Sequence, residues 1–210
     1  QGGVTFVVGE AGIGKSRLAL EIGHRLRFEF QDGVHWVELA PILDADQVPA
    51  AIAHTLSISE QPQRPLQIVL TEHLKPQHTL LILDNFEQVL EAAPLLATLV
   101  RDCPHLAILV TSRAPLHLRA EVQFALEPLG LPDTNSSFEC ESATTADAVQ
   151  MFAHRARAIH PLWQLTAETT PAVTALCRRM DGLPLAIELI VPRLKSLSVS
   201  EILQQFESPL

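Results

Sequence analysis

The sequence predicts an α/β protein in which a parallel sheet is flanked by helices and followed by a smaller all-helical part. Over the first 126 residues, short apolar runs bounded by turn residues alternate with segments of helical periodicity. This alternation is typical of a parallel sheet with helices on both faces. After residue 126 comes a connector rich in proline and polar residues, and the segments beyond it have helical periodicity.

The elements can be placed along the chain from these patterns. Strands are predicted at 4–8, 34–38, 80–84, 107–112 and, more weakly, 122–126. Helices are predicted at 16–30, 46–56, 66–74, 86–101, 145–159, 169–180, 185–197 and 200–206. We therefore expect an α/β domain over 1–133, a linker over 134–143 and a helical domain over 144–210; the loop at 9–16, described below, predicts that the first domain binds a nucleotide.

Composition and charge exclude several classes of protein. Hydrophobic residues make up 47% of the 210 residues and charged residues 19%, which is typical of a globular chain. There is no apolar run of membrane-spanning length. The formal charge of −9, from 15 basic and 24 acidic residues, argues against direct contact with nucleic acid. We expect neither a membrane nor a nucleic acid to be bound by these residues.

Cysteine and histidine usage predicts a reduced, zinc-free protein. Cys103, Cys140 and Cys177 are widely spaced and odd in number, which favours cytoplasmic thiols over a disulfide framework. The nine histidines form no zinc-binding pattern. The chain begins Gln-Gly-Gly without a leader pattern, so we expect a cytoplasmic location and a piece of a longer protein.

Residues 9–16 read GEAGIGKS and directly follow the first predicted strand. This is the GxxxxGK[ST] loop, whose glycines let backbone N–H groups converge on phosphate oxygens ahead of a helix N-terminus. Lys15 supplies a cation, Ser16 a hydroxyl for Mg2+, and Arg17 is a weaker phosphate candidate. The predicted phosphate-binding residues are Gly9, Glu10, Ala11, Gly12, Ile13, Gly14, Lys15, Ser16 and Arg17. The sequence therefore predicts a site for a nucleoside triphosphate with Mg2+; the alternative is a glycine turn with a surface lysine.

A second nucleotide signature ends the strand at 80–84. Asp84 follows four apolar residues and is expected at the strand tip beside Ser16, where it would hold Mg2+ directly or through a water. The alternative is an aspartate that caps the next helix. Many hydrolysing P-loop enzymes carry a glutamate after this aspartate, whereas this chain has Asn85, which cannot act as a base. Glu87 either assists through a water or sits in the first helical turn, and we expect slow hydrolysis.

Two further motifs follow. The strand at 107–112 leads into Arg113, and the tip of a neighbouring parallel strand would bring this side chain to the same sheet edge. Arg113 could then reach a γ-phosphate, or else be a solvated arginine. Residues 181–189 read DGLPLAIEL, a helix C-cap glycine followed by Pro184 in the first turn of the next helix.

Four motifs in this order, GEAGIGKS, LLILDNFEQV, LVTSR and DGLPLAIEL, resemble those of the NB-ARC class of signal-transduction (STAND) ATPases. The resemblance is closest to the ATPase module of bacterial transcription regulators of the LuxR and AfsR type. It implies a P-loop NTPase fold with a five-stranded parallel sheet, the phosphate-loop strand beside the sensor strand, and a small helical domain. The predicted catalytic residues are Lys15, Asp84 and Arg113. The resemblance implies that Arg113 senses the γ-phosphate and that Pro184 approaches the adenine.

The resemblance implies an ATP/ADP-controlled switch that hydrolyses slowly and self-associates in the ATP state of the full-length protein. Two alternatives stay open: an AAA-type turnover ATPase acting as a motor or loader, and a non-hydrolysing scaffold that keeps ADP. Relatives also carry a Gly-Arg-Glu segment before the first strand and a winged-helix domain after the helical unit. Both are missing from the sequence, so we expect weaker nucleotide binding and an incomplete switch.

Overall fold

The computed structural model describes residues 3–59, 61, 63–115, 121–132 and 144–207. The chain divides into two compact units, Gln1–Leu126 and Glu127–Leu210. The predicted linker at 134–143, with Cys140, lies outside the described residues.

The first unit is built on a five-stranded parallel sheet in the described residues. Its strands are β1 (Gly3–Val8), β2 (Val34–Glu38), β3 (Thr79–Asp84), β4 (Leu106–Ser112) and β5 (Glu121–Ala125). Their spatial order is β2-β3-β4-β1-β5, and every neighbouring pair is parallel. The predicted five-stranded sheet is confirmed, with the phosphate-loop strand β1 beside the sensor strand β4.

Helices cover both faces of this sheet. They are α1 (Lys15–Leu26), α2 (Val48–Thr55), α3 (Leu66–Leu74) and α4 (Ala93–Asp102). Successive side chains of β3 point to opposite faces. Leu80 and Ile82 pack in the cluster that contains Ala19 of α1, while Leu81 and Leu83 pack in the larger cluster of α2, α3 and α4. All six residues of β3 are buried for this reason, which explains why the strand reads as a continuous apolar run.

The helix predicted at 86–101 is wrong over its first half. Two short 3-10 turns, Phe86–Gln88 and Leu90–Ala92, precede α4. Asn85 has φ +64°, a left-handed conformation, and Val89 has φ −130° and ψ 38°, so neither residue continues an α-helix. The chain consequently turns sharply after Asp84 instead of leaving the strand tip along one helix.

The second unit is helical in its described residues. Its helices are α5 (Asp147–Ile159), α6 (Thr170–Arg179), α7 (Pro184–Ile190) and α8 (Val199–Glu207), with a 3-10 turn at Val191–Lys195. Phe152, Leu176, Ile187 and Ile202 are fully buried in its core. The helix predicted at 185–197 ends early, at Ile190, where the 3-10 turn begins. Pro192 lies directly beyond that end and lacks the N–H that an α-helix needs.

The connector before α5 packs with this helical unit. The N–H of Leu129 donates to the carbonyl of Gly182 over 3.1 Å, and Arg178 donates to the carbonyl of Pro132 over 2.9 Å. These contacts explain why the division between the compact units falls at Leu126, ahead of the predicted end of the first domain at residue 133.

Candidate nucleotide-binding site

The loop between β1 and α1 has the backbone geometry that its glycines allow. Gly12 and Gly14 have φ of +77° and +103°, in the left-handed region that favours glycine. Gly14 is the residue before α1, and the first turn of α1 contains no acidic residue. The unpaired N–H groups at the N-terminus of α1 therefore face the loop, and no acidic side chain of the helix's own first turn competes for them.

Gly9 is required by close packing rather than by a positive φ. A Cβ at this position would lie 3.0 Å from the carbonyl oxygen of Leu126 and 3.1 Å from a methyl group of Ile13. The N–H of Gly9 donates to the carbonyl of Ser112 over 3.3 Å. The start of the loop is thus fixed against the ends of β4 and β5.

Lys15 is folded back along the loop. Its ammonium Nζ donates to the carbonyl oxygens of Gly9 at 2.8 Å and of Glu10 at 2.9 Å, and the residue is only 8% exposed. Burial lowers the pKa of the Lys15 ammonium; the carboxylate of Glu87 raises this pKa and the guanidinium of Arg113 lowers it. The side chain thus crosses the phosphate-loop cradle and interacts electrostatically with charges at the tips of β3 and β4.

Asp84, at the tip of β3, accepts two hydroxyl hydrogen bonds on one oxygen. Ser16 Oγ donates to Asp84 Oδ1 over 2.7 Å, and Thr111 Oγ1 of β4 donates to the same atom. The N–H of Asn85 donates in turn to Thr111 Oγ1 over 3.0 Å. The structure therefore places Ser16 and Asp84, the two predicted Mg2+ ligands, in direct contact at the carboxyl edge of the sheet.

The sharp turn after Asp84 brings together two charged residues, Glu87 and Arg113. Arg113 Nε and Glu87 Oε1 are 2.9 Å apart. The Glu87 side chain is 13% exposed and that of Arg113 is 60% exposed. Among the residues that the structure describes, the second carboxylate oxygen of Glu87, Oε2, is buried without a hydrogen-bond partner.

The remaining predicted site residues lie in varied surroundings. Glu10, Ala11 and Arg17 are exposed, and Ile13 is buried. Pro184 opens α7 in the second unit. The contact of Arg17 with phosphate and the contact of Pro184 with adenine remain predictions.

Sequence reasoning missed Thr111 and the pairing of Glu87 with Arg113. Thr111 carried a weak signal, since a buried hydroxyl in an apolar strand beside an acidic strand tip needs a partner. For the ion pair there was no signal, because it depends on the 3-10 turn at Phe86–Gln88 that the helical pattern concealed.

The described residues contain neither a metal-binding cluster nor a membrane-spanning helix. No cluster of three or more histidine, cysteine, aspartate or glutamate side chains there could hold a metal ion. In the same ranges, no helix has both the length and the apolar character needed to cross a bilayer. Ser16 and Asp84 could supply oxygen ligands to Mg2+, an ion that commonly binds through few protein groups.

The parallel sheet and the loop at residues 9–16 together define a P-loop ATPase fold. Similarity to known proteins identifies the family within this fold. The NB-ARC domain family matches residues 1–115, and the chain belongs to this family. It is therefore an NB-ARC nucleotide-binding module of the STAND type.

Two curated relatives match over nearly the whole chain. A proposed HTH-type transcriptional regulator of Mycobacterium bovis is 34% identical over 203 residues, which cover 96% of this chain and 21% of that protein. An uncharacterized protein of Mycobacterium tuberculosis is 36% identical over 198 residues, covering 94% of this chain and 47% of that protein. The chain thus spans about a fifth of the first relative and about half of the second.

Solved structures share the fold at low sequence identity. The Aeropyrum pernix ORC2 protein, solved in ADPNP–ADP complexes, matches with a TM-score of 0.57 and 14% identity over 99% of this chain and 61% of that chain. A STAND protein with a tetratricopeptide repeat sensor from Pyrococcus horikoshii matches with a TM-score of 0.53 and 16% identity over 99% of this chain and 31% of that chain.

Proposed function

We propose that this chain is a nucleotide-controlled switch module that binds ADP or ATP with Mg2+ and hydrolyses ATP slowly. The observation that carries the proposal is the contact of Ser16 with Asp84 directly behind the phosphate loop. A hydroxyl and a carboxylate at this place supply oxygen ligands of the kind Mg2+ prefers. A bound Mg2+ would neutralise charge on the phosphates that the loop amides and Lys15 hold.

The setting we propose for the module is a bacterial transcription regulator in the cytoplasm. The support is the similarity to an HTH-type regulator over 96% of this chain. DNA binding would then belong to other parts of the protein, because these 210 residues carry a net charge of −9. We also propose self-association in the ATP state and a role for Pro184 at the adenine.

A switch needs different affinities in its two states. Moving an equilibrium from mostly closed to mostly open takes about 5.5 kcal/mol of differential binding. Arg113 lies just beyond the tip of β4, and the carbonyl of the preceding residue, Ser112, accepts from the N–H of Gly9. The guanidinium of Arg113 can donate bidentate hydrogen bonds to a γ-phosphate, which ADP lacks.

Calorimetry with both nucleotides tests this proposal. Arg113→Ala should leave ADP affinity unchanged and weaken binding of the non-hydrolysable ATP analogue ADPNP. Arg101→Ala is the matched control, because Arg101 is exposed near the end of α4 and pairs with its neighbour Asp102. Equal losses for the two nucleotides in Arg113→Ala would remove the sensor role.

Steady-state turnover separates the switch from a motor-type ATPase. Asn85 stands where a carboxylate base would be expected, which favours slow hydrolysis. Appreciable turnover by this chain without a partner would contradict the switch and support a turnover ATPase. Retention of ADP together with no measurable hydrolysis in a longer protein that contains the chain would support a scaffold.

A further inference from the structure

The guanidinium of Arg113, which is proposed to detect the γ-phosphate, forms an ion pair with Glu87. Arg113 Nε lies 2.9 Å from Glu87 Oε1, so one donor of the guanidinium already has an anionic acceptor. Arginine is positively charged at any accessible pH, and its planar guanidinium can serve a limited number of acceptors at once. A γ-phosphate must therefore share or displace the Glu87 contact.

Glu87 is fixed at this place by the backbone. The left-handed Asn85 and the 3-10 turn at Phe86–Gln88 turn the chain back after Asp84, and the aromatic ring of Phe86 is fully buried beside them. Glu87 is thus anchored by its buried neighbour, and its side chain is 13% exposed. Arg113, by contrast, has a long and largely exposed side chain that can change its partner.

The surroundings of Glu87 are poorly suited to a purely structural ion pair. One of its oxygens, Oε2, is buried without a partner within the described residues, although a buried carboxylate oxygen normally accepts a hydrogen bond. The negative charge of the carboxylate also raises the pKa of the Lys15 ammonium. If Arg113 contacts the terminal phosphate of ATP, the negative charge of Glu87 would lie close to the charge that this phosphate adds.

We propose that Glu87 sets the preference of this site for ADP over ATP by competing with the γ-phosphate for Arg113. This inference rests on the proposed function, since it assumes that Arg113 contacts the γ-phosphate. Two physical effects act in the same direction. The ion pair with Glu87 must be given up or shared when ATP binds, and the carboxylate repels the additional phosphate charge. ADP meets neither cost.

Glu87 is a positioning residue in this proposal, and its effect is measured by affinity. Glu87→Gln keeps the size of the side chain and removes its charge. We expect the ratio of the ADP Kd to the ADPNP Kd, measured by calorimetry with Mg2+, to shift roughly tenfold in favour of ADPNP. Glu91→Gln is the matched control, because Glu91 is an exposed carboxylate in the same connection, and its ratio should equal that of the wild type.

A double-mutant cycle tests whether the effect passes through Arg113. In an Arg113→Ala background, Glu87→Gln should have a smaller effect on the ratio, because the competition no longer exists and only the direct repulsion of the added phosphate charge remains. Glu87→Ala removes the charge with a smaller side chain and should shift the ratio in the same direction. Urea unfolding of each variant identifies a change in folding, which would affect both nucleotides equally.

The outcomes separate this inference from the proposed function. If the wild-type chain binds neither nucleotide, both fail. If the wild type binds both and the Glu87 variants leave the ratio unchanged, or shift it toward ADP, the competition is refuted while the nucleotide site stands. An undiminished shift in the Arg113→Ala background would also refute it, since Glu87 would then act without Arg113.

Discussion

Thr111 of β4 donates a hydrogen bond from its hydroxyl to Asp84 at the tip of β3, inside the sheet and out of contact with solvent. The same threonine oxygen accepts from the N–H of Asn85. One hydroxyl thereby orients the carboxylate that faces Ser16 and fixes the turn that carries Glu87.

Thr111→Val should destabilise the first unit. Valine keeps the shape of the side chain, but it leaves the Asn85 N–H and the Asp84 carboxylate without this partner in a buried setting. We expect the free energy of unfolding to fall by about 1–3 kcal/mol. Urea denaturation measures the change. The control is Thr98→Val, where the hydroxyl donates an exposed hydrogen bond to the carbonyl of Pro94 within α4. An equal loss in both variants would contradict the role given to Thr111.

Asp84→Asn should abolish the effect of Mg2+ on nucleotide affinity. The amide keeps an oxygen that can accept from Ser16 and Thr111 but removes the charge that attracts the cation. Titrations of ADP with Mg2+ and with a chelator should differ in the wild type and agree in the variant. Asp46→Asn, at an exposed position, should behave like the wild type. Retained Mg2+ dependence in Asp84→Asn would exclude this carboxylate as the ligand.

Gly182→Ala should destabilise the helical unit. Gly182 has φ +65°, and a Cβ at this position would lie 2.4 Å from the carbonyl oxygen of Leu129, so both the backbone and the packing oppose a side chain. We expect a loss of about 1–3 kcal/mol and a lower Tm. Gly130→Ala is the matched control, since its Cβ would meet Asp147 at an ordinary 3.5 Å. A Tm for Gly182→Ala equal to that of the control would contradict the packing described.

Cys177 should resist alkylation in the folded protein. Burial raises the pKa of its thiol from about 9 to about 12, so little reactive thiolate forms near neutral pH. Burial also raises the pKa of Cys103. In a Cys140→Ser variant, iodoacetamide at pH 8 should label both remaining thiols slowly until urea unfolds the chain. Rapid labelling of Cys177, read by mass spectrometry, would show that the core of the helical unit opens readily.

The same pKa shift predicts a pH dependence of stability. Between pH 9 and about 12 the unfolded state loses the Cys177 proton while the folded state keeps it. Folding thus retains a proton in this range, and the free energy of unfolding should fall as the pH rises through it. Cys177→Ala should show a smaller fall, measured by urea denaturation at pH 8 and pH 10.

Much of the sheet could be predicted because β3 and β4 are buried on both faces and hence read as continuous apolar runs. The phosphate loop could be predicted because its residue types follow from the chemistry of phosphate binding. The turn after Asp84 could not be predicted, because residues 86–101 keep a helical spacing of apolar side chains. The left-handed Asn85 and the proline at the start of α4 decide the local structure instead.

The pairing of Glu87 with Arg113 illustrates what sequence patterns leave out. Both residues were identified separately, one as a candidate beside the strand tip and one as a γ-phosphate sensor. Their contact requires a particular turn and two neighbouring strands whose order is set by long-range packing. Local periodicity contains no information on the distance between Glu87 and Arg113.

The proposed binding of a nucleotide's phosphates by the loop before α1 depends on Lys15. Titration calorimetry of ADP with Mg2+ tests it directly, comparing the wild type with Lys15→Ala and with the exposed control Lys75→Ala. We expect binding to the wild type and to Lys75→Ala, and no measurable binding to a folded Lys15→Ala variant. Unchanged ADP affinity in Lys15→Ala, or no binding to the wild type, would contradict this expectation.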